Sequence, residues 1–109
     1  MSNLQRRKGH NFEREIARQL REIFPKARRG LQYQDGIQCA DVEGTPFHIE
    51  CKRGRKPNPR AAMVQALGDA KPGRIPVVVV KDDHKPPFVC MAWEDFIDLV
   101  TEWVERGQA

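Results

Sequence analysis

The chain has 109 residues, which is enough for one domain over residues 1–109 and too few for two. Hydrophobic residues make up 39% and charged residues 31%, a balance typical of a folded protein and not of a disordered one. No apolar run approaches the roughly 20 residues that cross a bilayer, and no apolar segment follows the basic N-terminal residues as in a signal peptide. Three cysteines without paired spacing favour reduced thiols in a cytoplasmic protein over disulfides or a zinc site.

Positive charge is concentrated in the N-terminal half. Residues 1–60 carry 14 Lys and Arg against 7 Asp and Glu, whereas residues 61–109 carry 5 against 8. A basic half favours a polyanionic partner, most often nucleic acid, and the alternative is a charge-rich solvated surface.

The first half of the chain predicts one helix followed by short strands. Apolar residues recur with helical spacing over residues 11–24, and this helix is expected to end before Pro25. Residues 26–53 have strand character interrupted by glycines. Within them, Gly44 and Thr45 separate two strand-like segments and predict a hairpin with a two-residue turn.

The second half predicts a strand-helix-strand crossover, a further strand and a last helix. Asn58 and Pro59 begin a second helix that runs to Ala70. The β-branched run Ile75–Val80 suits a central strand covered on both faces and parallel to an earlier strand. A strand over Phe88–Met91 and an amphipathic helix follow. The predicted order is α-β-β-β-α-β-β-α, a mixed sheet flanked by helices, with the two tryptophans of the last helix packed in the core.

Three charged residues form the most informative pattern of the sequence. Glu50 and Lys52 point to one face of their strand because side chains alternate. The two-residue turn would place Asp41 opposite His48 and diagonal to Glu50, so that both carboxylates and the lysine share that face. Two carboxylates suit Mg²⁺, which activates water and polarises a phosphate, and the lysine can assist. The alternative is an ordinary cross-strand salt bridge.

Two neighbouring features extend this pattern. The basic segment 52–57 adds cations where a phosphate backbone would lie, although such a loop can also be merely solvated. Glu13 lies beside the apolar stripe of the first helix, from which its carboxylate could reach the site. Alternatively, Glu13 is a first-turn acid stabilised by the helix dipole.

The segments Lys8–Ala17 and Ile49–Lys52, together with Asp41, resemble the Holliday-junction resolvase branch of the PD-(D/E)XK nucleases and the small phage and bacterial nucleases related to it. The resemblance covers most of the chain. It implies a restriction-endonuclease-like α/β fold with an αβββαβ core, an extra strand and a C-terminal helix. It also implies a bacterial or phage-infected host cell.

The resemblance further implies roles for individual residues. Mg²⁺, for which Mn²⁺ can substitute, would be bound by the carboxylates of Asp41 and Glu50 and by the main-chain carbonyl of Cys51. Lys52 would serve the water and the phosphate. Glu13 would be the acid of the first helix, and Gln65 would support the lysine, unless Gln65 is an ordinary exposed helix residue.

The expected partner is DNA, with branched DNA as one substrate, bound by a homodimer that makes paired cuts. The candidate phosphate contacts are Arg28, Arg29, Arg53, Arg55 and Lys56. Ala40 departs from the family pattern, which has a proline before the aspartate, and the segment around Arg28 cannot be aligned residue by residue. Two other functions stay open: a non-specific or nicking DNase of the same fold, and a DNA-binding module without catalysis.

Overall fold

The computed structural model describes residues 3–31, 33–34 and 37–107, and for residues 33–34 and 37–38 it describes the backbone. Three helices lie in these ranges: α1 (Asn3–Arg21), α2 (Pro59–Asp69) and α3 (Trp93–Glu105). The strands are β1 (Arg28–Arg29), β2 (Tyr33–Gln34), β3 (Ile37–Gln38), β4 (Val42–Glu43), β5 (Phe47–Gly54), β6 (Ile75–Asp82) and β7 (Phe88–Met91).

The protein is an α/β structure built on a mixed five-stranded sheet. The strand order is β1-β4-β5-β6-β7, in which β5 and β6 are parallel and the other neighbours are antiparallel. The predicted crossover through α2 is therefore confirmed. Three strands of this sheet precede α2, as predicted, and β2 and β3 add a separate antiparallel pair between β1 and β4. Gly36, one of the glycines expected to interrupt the strands, lies outside the described residues.

The central strand β6 is covered on both faces, as its continuous apolar run predicts. Val77 and Val79 pack with α1 and with Val42 and Ile49, whereas Val78 and Val80 pack against the alanines of α2. We call these two sides of the sheet the α1 face and the α2 face. Asn58 caps α2 as expected, since its side chain accepts a hydrogen bond from the Ala61 N–H at 3.1 Å.

Helix α1 begins eight residues earlier than predicted and ends three residues earlier. Residues 3–10 contain strong helix formers that favour the extension, although they carry no apolar stripe. Near Pro25 the chain tightens into turns, because a proline disfavours helical geometry in the residue before it. Glu13 therefore lies in the interior of the helix, and its interpretation as a first-turn acid is wrong.

The β4–β5 hairpin has a longer turn than predicted. Val42 pairs with Ile49, whereas a two-residue turn would pair it with Phe47. Pro46 has no N–H for the ladder, and the Thr45 hydroxyl accepts a hydrogen bond from the Phe47 N–H at 3.0 Å. The prediction that Asp41 lies opposite His48 is therefore wrong. The observed register moves Asp41 further along β5, toward Glu50 and Cys51.

Helix α3 has the predicted position, but the prediction that its tryptophans lie in the core is wrong. None of its residues is buried, and Trp93 and Trp103 are both exposed. Amphipathic spacing shows that one face of a helix is apolar, but it does not show what covers that face.

Candidate functional site

An open cleft of about 790 Å³ lies between the N-terminal part of α1 and the end of β5. It brings together residues that are far apart in the sequence. Its lining includes Glu13, Asp41, Glu50, Cys51, Lys52 and Gln65, which are the predicted metal-site and catalytic residues. The hairpin supplies the two acids, β5 continues to the lysine, and the two helices supply the remaining side chains from either side.

The two central acids share a poorly solvated environment. Glu50 is only 2% exposed, and Asp41 is anchored by a hydrogen bond that its Oδ2 atom accepts from the Cys51 N–H at 2.8 Å. Burial raises the pKa of Asp41 to about 7, and the negative charges of Glu50 and then Glu13 act in the same direction, against the lowering effect of the Cys51 N–H. The site thus holds more negative charge than its surroundings easily accommodate.

His48 is a member of this site that the sequence interpretation missed. The imidazole Nε2 lies 2.9 Å from Oε1 of Glu50, and both side chains are almost fully buried. Sequence interpretation had treated His48 as a surface or core-edge residue because the histidines show no ligand spacing. Strand alternation was the available signal, since residues 48 and 50 of one strand point to the same face.

Lys52 extends from β5 toward α2. Its Nζ lies 3.5 Å from Oε1 of Gln65, so the predicted pairing of these two residues is present in the fold. Both side chains are partly buried. The glutamine limits the positions open to the ammonium group, which stands in the same cleft as the two carboxylates.

Glu13 and Arg29 form a tight ion pair. Oε2 of Glu13 lies 2.7 Å from Nε of Arg29, and both side chains are largely shielded from water. Arg29 was predicted to contact phosphate, but here its guanidinium group neutralises the acid of the first helix. Neither Arg28 nor Arg29 is among the described residues that line the cleft, and Arg28 donates to the Lys26 carbonyl at 3.2 Å.

The rim of the cleft is basic. Arg53 and Arg55, both predicted phosphate contacts, line it, whereas Lys56 does not. Helix α1 adds Arg6 and Lys8, which the sequence interpretation did not single out because the helix was expected to begin later. Lys8 forms an ion pair with Asp83 at 2.9 Å, and Arg53 lies 3.6 Å from the same carboxylate. This network connects the start of α1 to the loop after β6.

The donor set fits a hard divalent cation. Among the described residues no three His, Cys, Asp or Glu side chains are arranged to hold a metal ion. Mg²⁺, however, is usually bound by one or two carboxylates and keeps several waters, so Asp41 and Glu50 meet its needs. A cation would also offset the excess negative charge that raises the pKa of Asp41. Burial raises the pKa of the Cys51 thiol, which leaves the carbonyl as the better donor of that residue.

Comparison of the chain with protein-family models, with curated proteins and with solved structures finds no match. Within the described residues, no helix is both long enough and apolar enough to cross a membrane. A function is therefore argued below from the residues of the cleft.

Proposed function

We propose that this chain is a Mg²⁺-dependent endodeoxyribonuclease of the PD-(D/E)XK type, with its active site in the cleft. The observation that carries the proposal is the grouping of Asp41 and Glu50 with Lys52 inside a basic rim. A protein that only bound DNA would gain nothing from two buried carboxylates facing phosphates, because like charges repel. The mixed sheet with its single crossover is compatible with the restriction-endonuclease-like core that the resemblance implies.

Asp41 and Glu50 would hold the metal ion, together with the main-chain carbonyl of Cys51. When bound, Mg²⁺ supplies a Lewis acid that polarises the scissile phosphate and lowers the pKa of water. The hydrogen bond from the Cys51 N–H fixes one oxygen of Asp41, and His48 fixes one oxygen of Glu50. Each carboxylate then presents its other oxygen in a defined direction.

Lys52 would orient the attacking water and offset the charge that develops on the phosphorus during in-line attack. Gln65 positions its ammonium group. Glu13 is a positioning residue, because its ion pair with Arg29 joins α1 to β1 beside the acids. The phosphodiester backbone would follow the rim formed by Arg53, Arg55 and the start of α1.

The experiment is cleavage of a four-way junction, a linear duplex and a single strand of matched sequence, with Mg²⁺ or Mn²⁺ and with EDTA. Lys52→Ala is the test variant. Lys71→Ala is the matched control, since Lys71 is an exposed lysine that does not line the cleft. We expect metal-dependent cleavage that Lys52→Ala loses by a factor of about 10²–10³ and that Lys71→Ala keeps.

The choice of substrate separates the remaining possibilities. Paired cuts confined to the junction would identify a resolvase acting as a homodimer. Cleavage of all three DNAs would identify a non-specific or nicking DNase. Binding of DNA without cleavage under any metal condition would refute the enzymatic proposal and leave a DNA-binding module. Mg²⁺ calorimetry then provides a second check, because such a module should show no metal affinity that Asp41→Asn removes.

A further inference from the structure

A second uncovered surface lies on the α1 face of the sheet, where Ile49 and Val79 point, whereas Glu50 and Lys52 point to the α2 face. It is an apolar groove of about 490 Å³ between α1 and the edge strand β7. We call it the α1-face groove. Its walls include Leu20, Ile23, Phe88, Val89 and Met91, and one side chain of α3, Leu99, borders it.

Helix α3 presents a matching apolar stripe to solvent. Its members recur at intervals of three and four residues, so they lie on one side of the helix. They are Trp93, Phe96, Ile97, Val100, Trp103 and Val104, all of them exposed. The helix has 13 residues and is therefore about 20 Å long, and it follows β7 after the single residue Ala92.

The uncovered area is large for a monomer. The exposed fractions of the three aromatic residues are 71% for Trp93, 44% for Phe96 and 53% for Trp103. At roughly 200 Å² for each aromatic side chain, they alone expose on the order of 300 Å². If the helix covers a groove of similar area, and does so twice in a symmetric pair, about 1,200 Å² leaves water. That is the lower limit of a specific, stable interface.

The charges of the two surfaces are complementary. Helix α3 carries five acidic residues and no basic one: Glu94, Asp95, Asp98, Glu102 and Glu105. The exposed side of α1, beside the groove, carries Arg14, Arg18 and Arg21. A helix with this acidic margin would thus meet a basic margin at the groove, which favours docking in one orientation.

We propose that two copies of this chain form a two-fold symmetric dimer in which α3 of each copy lies in the α1-face groove of the other. Donor and acceptor surfaces occur on the same chain, which is the requirement for a closed isologous pair. Docking on the α1 face leaves Glu50 and Lys52, on the α2 face, accessible. The dimer does not depend on the proposed nuclease activity and can be tested without DNA or metal.

The first test is molar mass in solution over a range of protein concentrations, by sedimentation equilibrium. We expect the wild type to have twice the 12.6 kDa mass of the chain. Val100→Glu places a charge in the apolar stripe, Val89→Glu places one in the groove, and both should weaken dimerisation at least tenfold. Val64→Glu is the matched control, because Val64 is over half exposed on α2. It should leave the dimer unchanged, and circular dichroism should show that all three variants are folded.

Two further measurements identify the contact. The chain has only two tryptophans, Trp93 and Trp103, and both lie on α3. Their emission should therefore shift to shorter wavelength as the wild type associates, and stay unshifted in Val100→Glu. Mixing Val100→Glu with Val89→Glu should partly restore dimers, because one intact helix then meets one intact groove.

Several outcomes would overturn the proposal. A monomer at all accessible concentrations would mean that α3 closes on its own groove or binds another protein. A dimer that survives both substitutions would place the interface elsewhere. A mixture that shows no more dimer than its components would indicate contact between the two α3 helices instead of helix with groove.

Discussion

Asp41→Asn should stabilise the metal-free protein, and the gain should grow with pH. In the folded chain, burial and neighbouring negative charge raise the pKa of Asp41 from 3.8 to about 7. The folded state therefore binds this proton more tightly than the unfolded state. The resulting stability is fully present below about pH 4 and is lost as the pH rises through 7. Asparagine stays neutral, and its side-chain oxygen can still accept the hydrogen bond from the Cys51 N–H.

The size of the effect follows from the pKa shift. A shift of about three units, at roughly 1.4 kcal/mol each, corresponds to a free energy on the order of 4 kcal/mol. This is an upper limit, because Asp41 keeps some contact with solvent. We expect Asp41→Asn to exceed the wild type by about 2–4 kcal/mol in free energy of unfolding at pH 8. At pH 4 the two proteins should differ little.

Urea unfolding in EDTA at pH 4, 5, 6, 7 and 8, followed by circular dichroism, measures this difference. Asp98→Asn is the control, because Asp98 is an exposed carboxylate of α3 outside the cleft. It should show no comparable trend with pH. The reasoning would be refuted if the advantage of Asp41→Asn were the same at pH 4 and pH 8, or if the variant were less stable than the wild type at pH 8.

Other substitutions test separate parts of the structure. His48→Ala should weaken Mg²⁺ binding about 10- to 100-fold in calorimetry, because Glu50 loses the group that orients it, and His48→Gln should recover part of the loss; equal affinities would contradict this role. Adding Mg²⁺ at one hundred times its dissociation constant at pH 8 should stabilise the wild type by about 2.7 kcal/mol and leave Asp41→Asn unchanged in thermal unfolding. Gly44→Ala should destabilise the fold by at least about 1–3 kcal/mol in urea unfolding, because φ is +87° and an added Cβ would collide with the Lys26 carbonyl; a neutral effect would mean that the turn can rearrange.

Local chemical signals in the sequence predicted several elements well. The cap formed by Asn58 and Pro59 positions α2 at its observed start, because both residues act within one helical turn. The valine run of β6 predicted a strand buried on both faces, because few other environments accommodate continuous β-branched residues. The cleft likewise contains all the acids that the pattern of Asp41, Glu50 and Lys52 singled out.

Features that depend on distant partners could not be predicted in this way. The ion pair of Glu13 with Arg29 joins residues 16 positions apart, and nothing in the local sequence of either one indicates the other. The register of the hairpin depends on the turn around Pro46, where Gly44 and Thr45 alone suggested a shorter connection. The exposed stripe of α3 has the same spacing as a buried one, so the sequence could not show which it is.

The parallel ladder between β5 and β6 imposes an order on the maturation of the cleft. Its pairs run from Phe47 with Ile75 to Gly54 with Asp82, and each joins residues 28 positions apart. Asp41, Glu50 and Lys52 therefore leave the ribosome well before the strand that supports them. Closing such a non-local pairing costs chain entropy before it yields contacts, so it should form late in folding. A nascent chain that stops before β6 would carry all three charged residues of the proposed active site and still lack the rigid strand that holds them together.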